Sequence, residues 1–149
     1  IVSRDWSSDV CSSDLVIKIL EFELQGVIRY TYYYVILDKA NREAKILNFL
    51  KEQAQESLHH AQLVSDVLAG LNEYEPLAIL PNYHLNNYNA IDILLASHAH
   101  EQQAVEYYKH LLEVVKGCNK YLEEFTSKMV IEEEEHTQEL QQMINEYQV

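Results

Sequence analysis

The sequence predicts an all-α fold, a four-helix bundle with one long crossover between the second and third helices. Three observations lead there. Only three glycines and two prolines occur in 149 residues, too few turn-formers for the many hairpins of an all-β protein. Apolar residues recur at spacings of three, four and seven in four successive stretches. The connections between those stretches run short, long, short.

The first fourteen residues stand apart from the rest. They are rich in Ser and Asp and carry a short repeat, Ser7-Ser8-Asp9-Val10 against Ser12-Ser13-Asp14-Leu15. "SSDVCSSDL" resembles the translation of a sequencing-adapter end, a contaminant of assembled genomes; the plainer alternative is a polar N-terminal tail. Residues 1–14 are therefore read as a non-native or disordered tail, and residues 15–149 as the domain. No function is placed on the tail, and Cys11 leaves the redox argument.

The first helical stretch runs from Leu15 to about Lys39, with Leu15, Ile17, Leu20, Phe22, Val27, Ile28, Tyr30, Tyr34 and Leu37 on its apolar positions. A break at Ala40-Asn41 precedes the second, from about Arg42 to Leu68, which Gly70 is expected to cap. Residues 71 to about 88 hold both prolines and read as the long connection. The third stretch spans Ala90 to Val115 and ends near Gly117. The "GCNK" turn leads into the fourth, Tyr121 to about Tyr147. Helices of roughly 25 residues reach about 37 Å at 1.5 Å rise per residue, and the connection pattern is that of a bundle with one crossover.

Composition bounds the function. A 149-residue chain with 48% hydrophobic content supports one core and one domain. The formal charge of −13 argues against nucleic acid and anionic membranes, which need basic patches, and suits the attraction of cations. Discounting Arg4, Asp5, Asp9 and Asp14 removes one positive and three negative charges and leaves −11. No apolar run reaches the length of a membrane span and no signal-peptide pattern opens the chain. Cys11 and Cys118 are too few for a disulfide framework. A soluble, cytoplasmic protein is the expectation.

The chemistry lies in polar residues on the helical stretches. Glu23 interrupts an apolar stripe, with Tyr30 two turns along. Glu56 and His59 form an E-x-x-H pair, one helical turn apart. Glu101 again has a tyrosine seven residues later, Tyr108, and Glu133 with His136 makes a second E-x-x-H. The two halves repeat at offsets of 78, 78, 77 and 77 residues. Four carboxylates and two imidazoles suit two divalent ions, iron or manganese before zinc. Without metal, four acids in one core repel one another and are costly to desolvate.

These motifs resemble the ferritin-like di-iron carboxylate proteins, built from a Glu on each of two helices and Glu-x-x-His on the other two. Within them "EFELQGVIRY", "ESLHHAQ" and "EEEEH" are most similar to bacterioferritin, over residues 15 to 148. The resemblance implies two iron ions bridged by Glu56 and Glu133, with Glu23 and His59 completing one site and Glu101 and His136 the other. Tyr30 would stand beside them as a redox-active or hydrogen-bonding catalytic neighbour. Bacterioferritins carry a haem-binding Met directly after the second-helix Glu; Ser57 stands there, so no haem is expected. The short fifth helix that lines a 24-subunit shell is also not found by Val149, which leaves a homodimer or a larger homo-oligomer open.

The implied activity is a ferroxidase, oxidising Fe²⁺ with O₂ or H₂O₂ for iron storage or detoxification. Two alternatives stay open. A rubrerythrin-like peroxide reductase, or another di-metal oxidase without storage, is weakened by His98 and Ala104 standing where a further Glu belongs, and by the want of a cysteine-rich module. A metal-free helical interaction module is the other. A DNA-coating mini-ferritin is disfavoured by the acidic charge. Among the remaining histidines, His60 is expected to point outward, about 100° from His59. His98 is read as a supporting group or extra ligand, and His84, His100 and His110 as ordinary polar positions. Glu132, Glu134 and Glu135 are expected to be a solvated run or acceptors for a ligand histidine.

Overall fold

In a computed structural model, residues 6–39, 43–71, 77–78, 85 and 87–148 are described, with side chains from residue 13 onward and without that of Leu71. His84 and the Ala40-Asn41 break lie outside them. The described residues form four helices: α1 Trp6–Lys39, α2 Ala44–Leu71, α3 Ala90–Val115 and α4 Lys120–Gln148. No strand occurs among them. α1 packs on α2 and on α3, and α3 packs on α4.

Local chemistry sets the helix ends. Asn89 caps α3, its side-chain oxygen accepting from the Asp92 N–H at 2.9 Å. Asn119 does the same for α4, accepting from the Leu122 N–H at 3.1 Å. After α3 the chain turns at Gly117, whose φ of 75° is the left-handed conformation glycine adopts without a Cβ penalty. Gly70 does not cap α2: the helix continues through it to Leu71. α1 begins at Trp6, nine residues before the expected helix start at Leu15.

Each helix turns one stripe inward at alternating steps of three and four. On α1 the stripe is Val16, Ile19, Glu23, Gly26, Tyr30, Tyr33 and Leu37; Tyr33 is buried, while Ile28 and Tyr32 face out. On α2 it is Ile46, Leu50, Gln53, Ser57, His60, Val64 and Val67, and on α4 Leu122, Thr126, Met129, Glu133, His136 and Leu140. Apolar side chains gather at the two ends of the bundle. One cluster joins Val16, Ile19, Val64, Leu111, Leu122 and Met129, and the other Tyr33, Leu37, Leu50, Ile93, Leu94 and Leu140. Between them lies a layer of buried polar residues that includes Glu23, Ser57, His60, His100, Glu101 and Glu133. Desolvating such groups is unfavourable unless they find partners, so the apolar clusters supply the stability that lets this layer exist.

Candidate metal centre

Glu133 is the middle of the polar layer, 1% exposed. His60 Nδ1 lies 2.9 Å from one of its oxygens and His136 Nδ1 3.3 Å from the other. Glu23 Oε1 is 3.5 Å from His60 Nδ1, and Glu101 Oε2 is 4.0 Å from His136 Nδ1. Two sets of donor atoms result, Glu23–His60–Glu133 and Glu101–Glu133–His136, the atoms within each lying inside 4.8 Å of one another. They share Glu133, and the His60 and His136 rings stack 5.9 Å apart at 18°.

The surroundings hold these donors in place. Tyr108 donates its phenolic hydrogen to Glu23 at 2.6 Å, and Tyr30 donates to Glu101. Each tyrosine thus crosses to the carboxylate of the other half of the repeat. The far nitrogens of the imidazoles face rim carboxylates: His60 Nε2 is 3.5 Å from Glu132, and His136 Nε2 is 3.2 Å from Glu56. An outward carboxylate fixes an imidazole's tautomer and leaves its other nitrogen free to ligate.

Charge in the metal-free centre is balanced by protons. Burial pushes Glu23 and Glu101 up, Glu101 well above the ordinary carboxylate value, with Glu133 adding repulsion to both. Burial acts on Glu133 too, but hydrogen bonds with His136 and His60 outweigh it and hold the group ionised. Burial alone would discharge His60; the facing Glu133 and Glu23 raise it instead, to about 11. His136 is raised by Glu133 in the same way, against its own burial. Burial and Glu101 keep the Tyr30 hydroxyl protonated.

The structure brings together Glu23, Glu101, Glu133 and His136 and sets Tyr30 beside them. It places two other predicted residues differently. His59 is exposed and belongs to neither donor set. His60, expected to point outward, is 5% exposed and takes the inward position. One residue along a helix is a turn of about 100°, so only one of two adjacent histidines can face inward, and here it is His60. Glu56 shifts with it: its side chain is 46% exposed, and it approaches the centre only through His136 and a 2.8 Å hydrogen bond from Gln53. The residue three before His60 is then Ser57, and the inward pair of α2 is Ser-x-x-His.

One more residue escaped the sequence reading. His100 is buried, stacked on Phe22 at 4.1 Å and 11°, with its ring edge-on to Tyr30. Burial and the Arg29 charge keep it neutral, its pKa lowered to about 3. Tyr108, singled out in the sequence by its spacing from Glu101, instead bonds Glu23 through its hydroxyl. His110 is exposed and His98 half-buried, in neither donor set.

Helical stripes converging on a shared carboxylate, flanked by two imidazoles and two crossed tyrosine–carboxylate bonds, define a bundle built around a buried carboxylate–histidine cluster that could hold metal ions. The sequence matches the family described as Ferritin, a ferritin-like domain, over residues 14–148. The chain belongs to that family. No curated protein matches it in sequence.

Solved structures agree on the fold. The bacterioferritin of Desulfovibrio desulfuricans superposes with a TM-score of 0.84 at 16% identity, over 97% of this chain and 84% of that one. The bacterioferritin-related protein of Bacteroides fragilis, described as a dodecameric thioferritin, gives 0.81 at 20% identity, covering 93% and 87%. Ferritin-like di-iron carboxylate proteins of Bacillus anthracis give 0.80 at 15%, covering 92% and 97%.

Proposed function

We propose that this chain is a di-iron ferroxidase that binds two Fe²⁺ ions in the buried centre and oxidises them with O₂ or H₂O₂, serving iron storage or detoxification. The observation that carries the reading is the pair of donor sets joined at Glu133. Glu133 would be shared by the two ions, with Glu23 and His60 holding one and Glu101 and His136 the other. Three carboxylates and two imidazoles form a hard donor set that fits iron, with manganese next, and hard oxygen donors favour the ferric product. When bound, the ions supply the electrons for reduction of the oxidant.

The chain's own residues do the rest. Tyr30 and Tyr108 hold Glu101 and Glu23 at fixed angles, while Glu56 and Glu132 orient the imidazoles. No methionine follows either Glu56 or Ser57 on α2, which supports a centre that works without haem. Leu58, the residue after Ser57, lies exposed on the outside with Ile28, Tyr32 and Val35 of α1. Such an apolar outer face supports a homodimer or larger homo-oligomer. The exposed free thiol of Cys118 suits a reducing cytoplasm.

Aerobic addition of Fe²⁺ to the purified protein tests the reading. The parent is expected to develop ferric absorbance in the near ultraviolet much faster than buffer alone, and Glu133→Ala to lose most of that advantage. A Glu133→Ala variant as fast as the parent would overturn it. Running O₂ against H₂O₂ identifies the oxidant.

A further inference from the structure

The polar layer is closed on one side and open on the other. On α1 and α3 its residues Glu23, Tyr30, Glu101 and Tyr108 are no more than 4% exposed. On α2 and α4 the inner His60 and Glu133 are similarly buried, but the groups around them reach solvent: the side chain of His136 is 14% exposed, that of Glu132 33% and that of Glu56 46%. The helices that pack closely are α1 with α2, α3 with α4 and α1 with α3; α2 with α4 is not among them. The seam between α2 and α4 is therefore the short way from solvent to the donors.

That seam carries a paired arrangement of its own. The inward positions of α2 and α4 repeat at an interval of 76 residues, Leu50 with Thr126, His60 with His136 and Val64 with Leu140. The same interval relates Glu56 to Glu132. Each of these carboxylates crosses the seam to the imidazole of the other helix, Glu132 to His60 Nε2 at 3.5 Å and Glu56 to His136 Nε2 at 3.2 Å. The Nδ1 atom of each ring faces Glu133. Both imidazoles thus span from a carboxylate at the rim to the shared one inside. Gln53 donates to Glu56 at 2.8 Å, and Lys128 stands 3.7 Å from Glu132. Resting on the di-metal reading above, we propose that the α2–α4 seam is the entrance to the centre, with Glu56 and Glu132 as its capture groups. A hydrated divalent cation is drawn first to this pair and moves inward past the imidazoles to Glu133, its waters replaced by the inner donors. Two carboxylates of one sign at the mouth of a low-dielectric interior focus the field and concentrate cations there. This task belongs to the approach of the ion and ends once the ion is bound.

The rate at which Co²⁺ enters the metal-stripped protein tests the proposal, read by stopped-flow visible absorption, with calorimetry giving the number of ions bound. The double variant Glu56→Gln/Glu132→Gln is expected to take up Co²⁺ about tenfold more slowly than the parent, and each single variant about threefold more slowly, at the lower end of what a focused charge contributes to association. Added salt should slow the parent more than the double variant. Glu106→Gln/Glu134→Gln removes the same charge from the exposed side of α3 and α4, where Glu134 meets Lys109, and should keep the parent rate. Lost orientation of the imidazoles shows in the dissociation rate instead, so the association rate reads the entrance alone. Should the double variant not fold, the single variants carry the comparison. Seam variants that associate as fast as the parent, or that are slowed no more than Glu106→Gln/Glu134→Gln, overturn the entrance and leave the di-metal reading standing. A parent that binds no Co²⁺ pair overturns both.

Discussion

Replacing each of two adjacent histidines by alanine separates the register seen in the structure from its neighbour. His60 is 5% exposed, with Nδ1 at 2.9 Å from Glu133 and 3.5 Å from Glu23, and Nε2 at 3.5 Å from Glu132. In the metal-free protein these carboxylates keep the ring charged against its own burial. His60→Ala strands Glu133 with His136 alone and Glu23 with the Tyr108 hydroxyl alone. Removing one partner of a buried, hydrogen-bonded ion pair costs about 3–5 kcal/mol. His59 is exposed, and a surface substitution away from special features stays within about 0.5 kcal/mol. Denaturant unfolding of the chelator-stripped variants at pH 7 reads this difference, and Co²⁺ titration reads a second one: His60→Ala should retain a single tight ion, and His59→Ala two. A His59→Ala variant that is as destabilised as His60→Ala, or that loses an ion while His60→Ala keeps both, would refute the assignment.

Three further outcomes are expected. The His60 group, raised from 6.5 to about 11, contributes its full stabilisation below pH 6.5 and none once the pH has passed about 11. The raised Glu23 and Glu101 act in the same direction, so the melting temperature of the metal-free protein should fall from pH 7 to 11, and fall less in His60→Ala. Tyr108→Phe removes the hydrogen bond to the buried Glu23 carboxyl and should cost about 1–3 kcal/mol by denaturant unfolding, whereas Tyr121→Phe, at 65% exposure, should be neutral. Gly26→Ala drives a methyl to 2.7 Å from Ser57 Oγ; overpacking of this kind costs about 1–3 kcal/mol, and adding Ser57→Ala should recover part of it in the same assay.

The fold was legible because it depends on averages over many residues. Scarce Gly and Pro, four periodic stretches and one long connection survive errors of a residue or two at any end. The centre depends on phase, where a single residue is 100° of rotation. Glu56 and His59 present the right residue types at the right spacing, and so do Glu133 and His136; spacing alone cannot tell which pair faces in. The neighbouring apolar residues can. Ile46 and Leu50 on one side, and Val64 and Val67 on the other, continue by steps of three and four through 53, 57 and 60. That path passes through Ser57 and His60 and leaves Glu56 and His59 outside. On α4 the same extension from Leu122, Met129 and Leu140 passes through Glu133 and His136, so there the motif and the phase agree. His100 was hidden for a different reason. Its burial depends on α1 approaching closely at Gly26, a contact between helices that no pattern within α3 records.

The phase also explains how the polar layer folds before any ion arrives. Glu133 faces two imidazoles, which take up protons and become its counter-ions. Glu23 and Glu101 are pushed toward the neutral acid by burial and by Glu133, and each accepts from a tyrosine. Had Glu56 and not Ser57 faced inward, a fourth acid would have joined a layer whose two imidazoles are already engaged, and burial would have forced a further proton onto it. A serine at that position spares the metal-free protein this conflict. The two charged imidazoles then outweigh the ionised Glu133 by one positive charge, which the rim carboxylates Glu132 and Glu56 face from outside, and these are the protons that bound ions would displace.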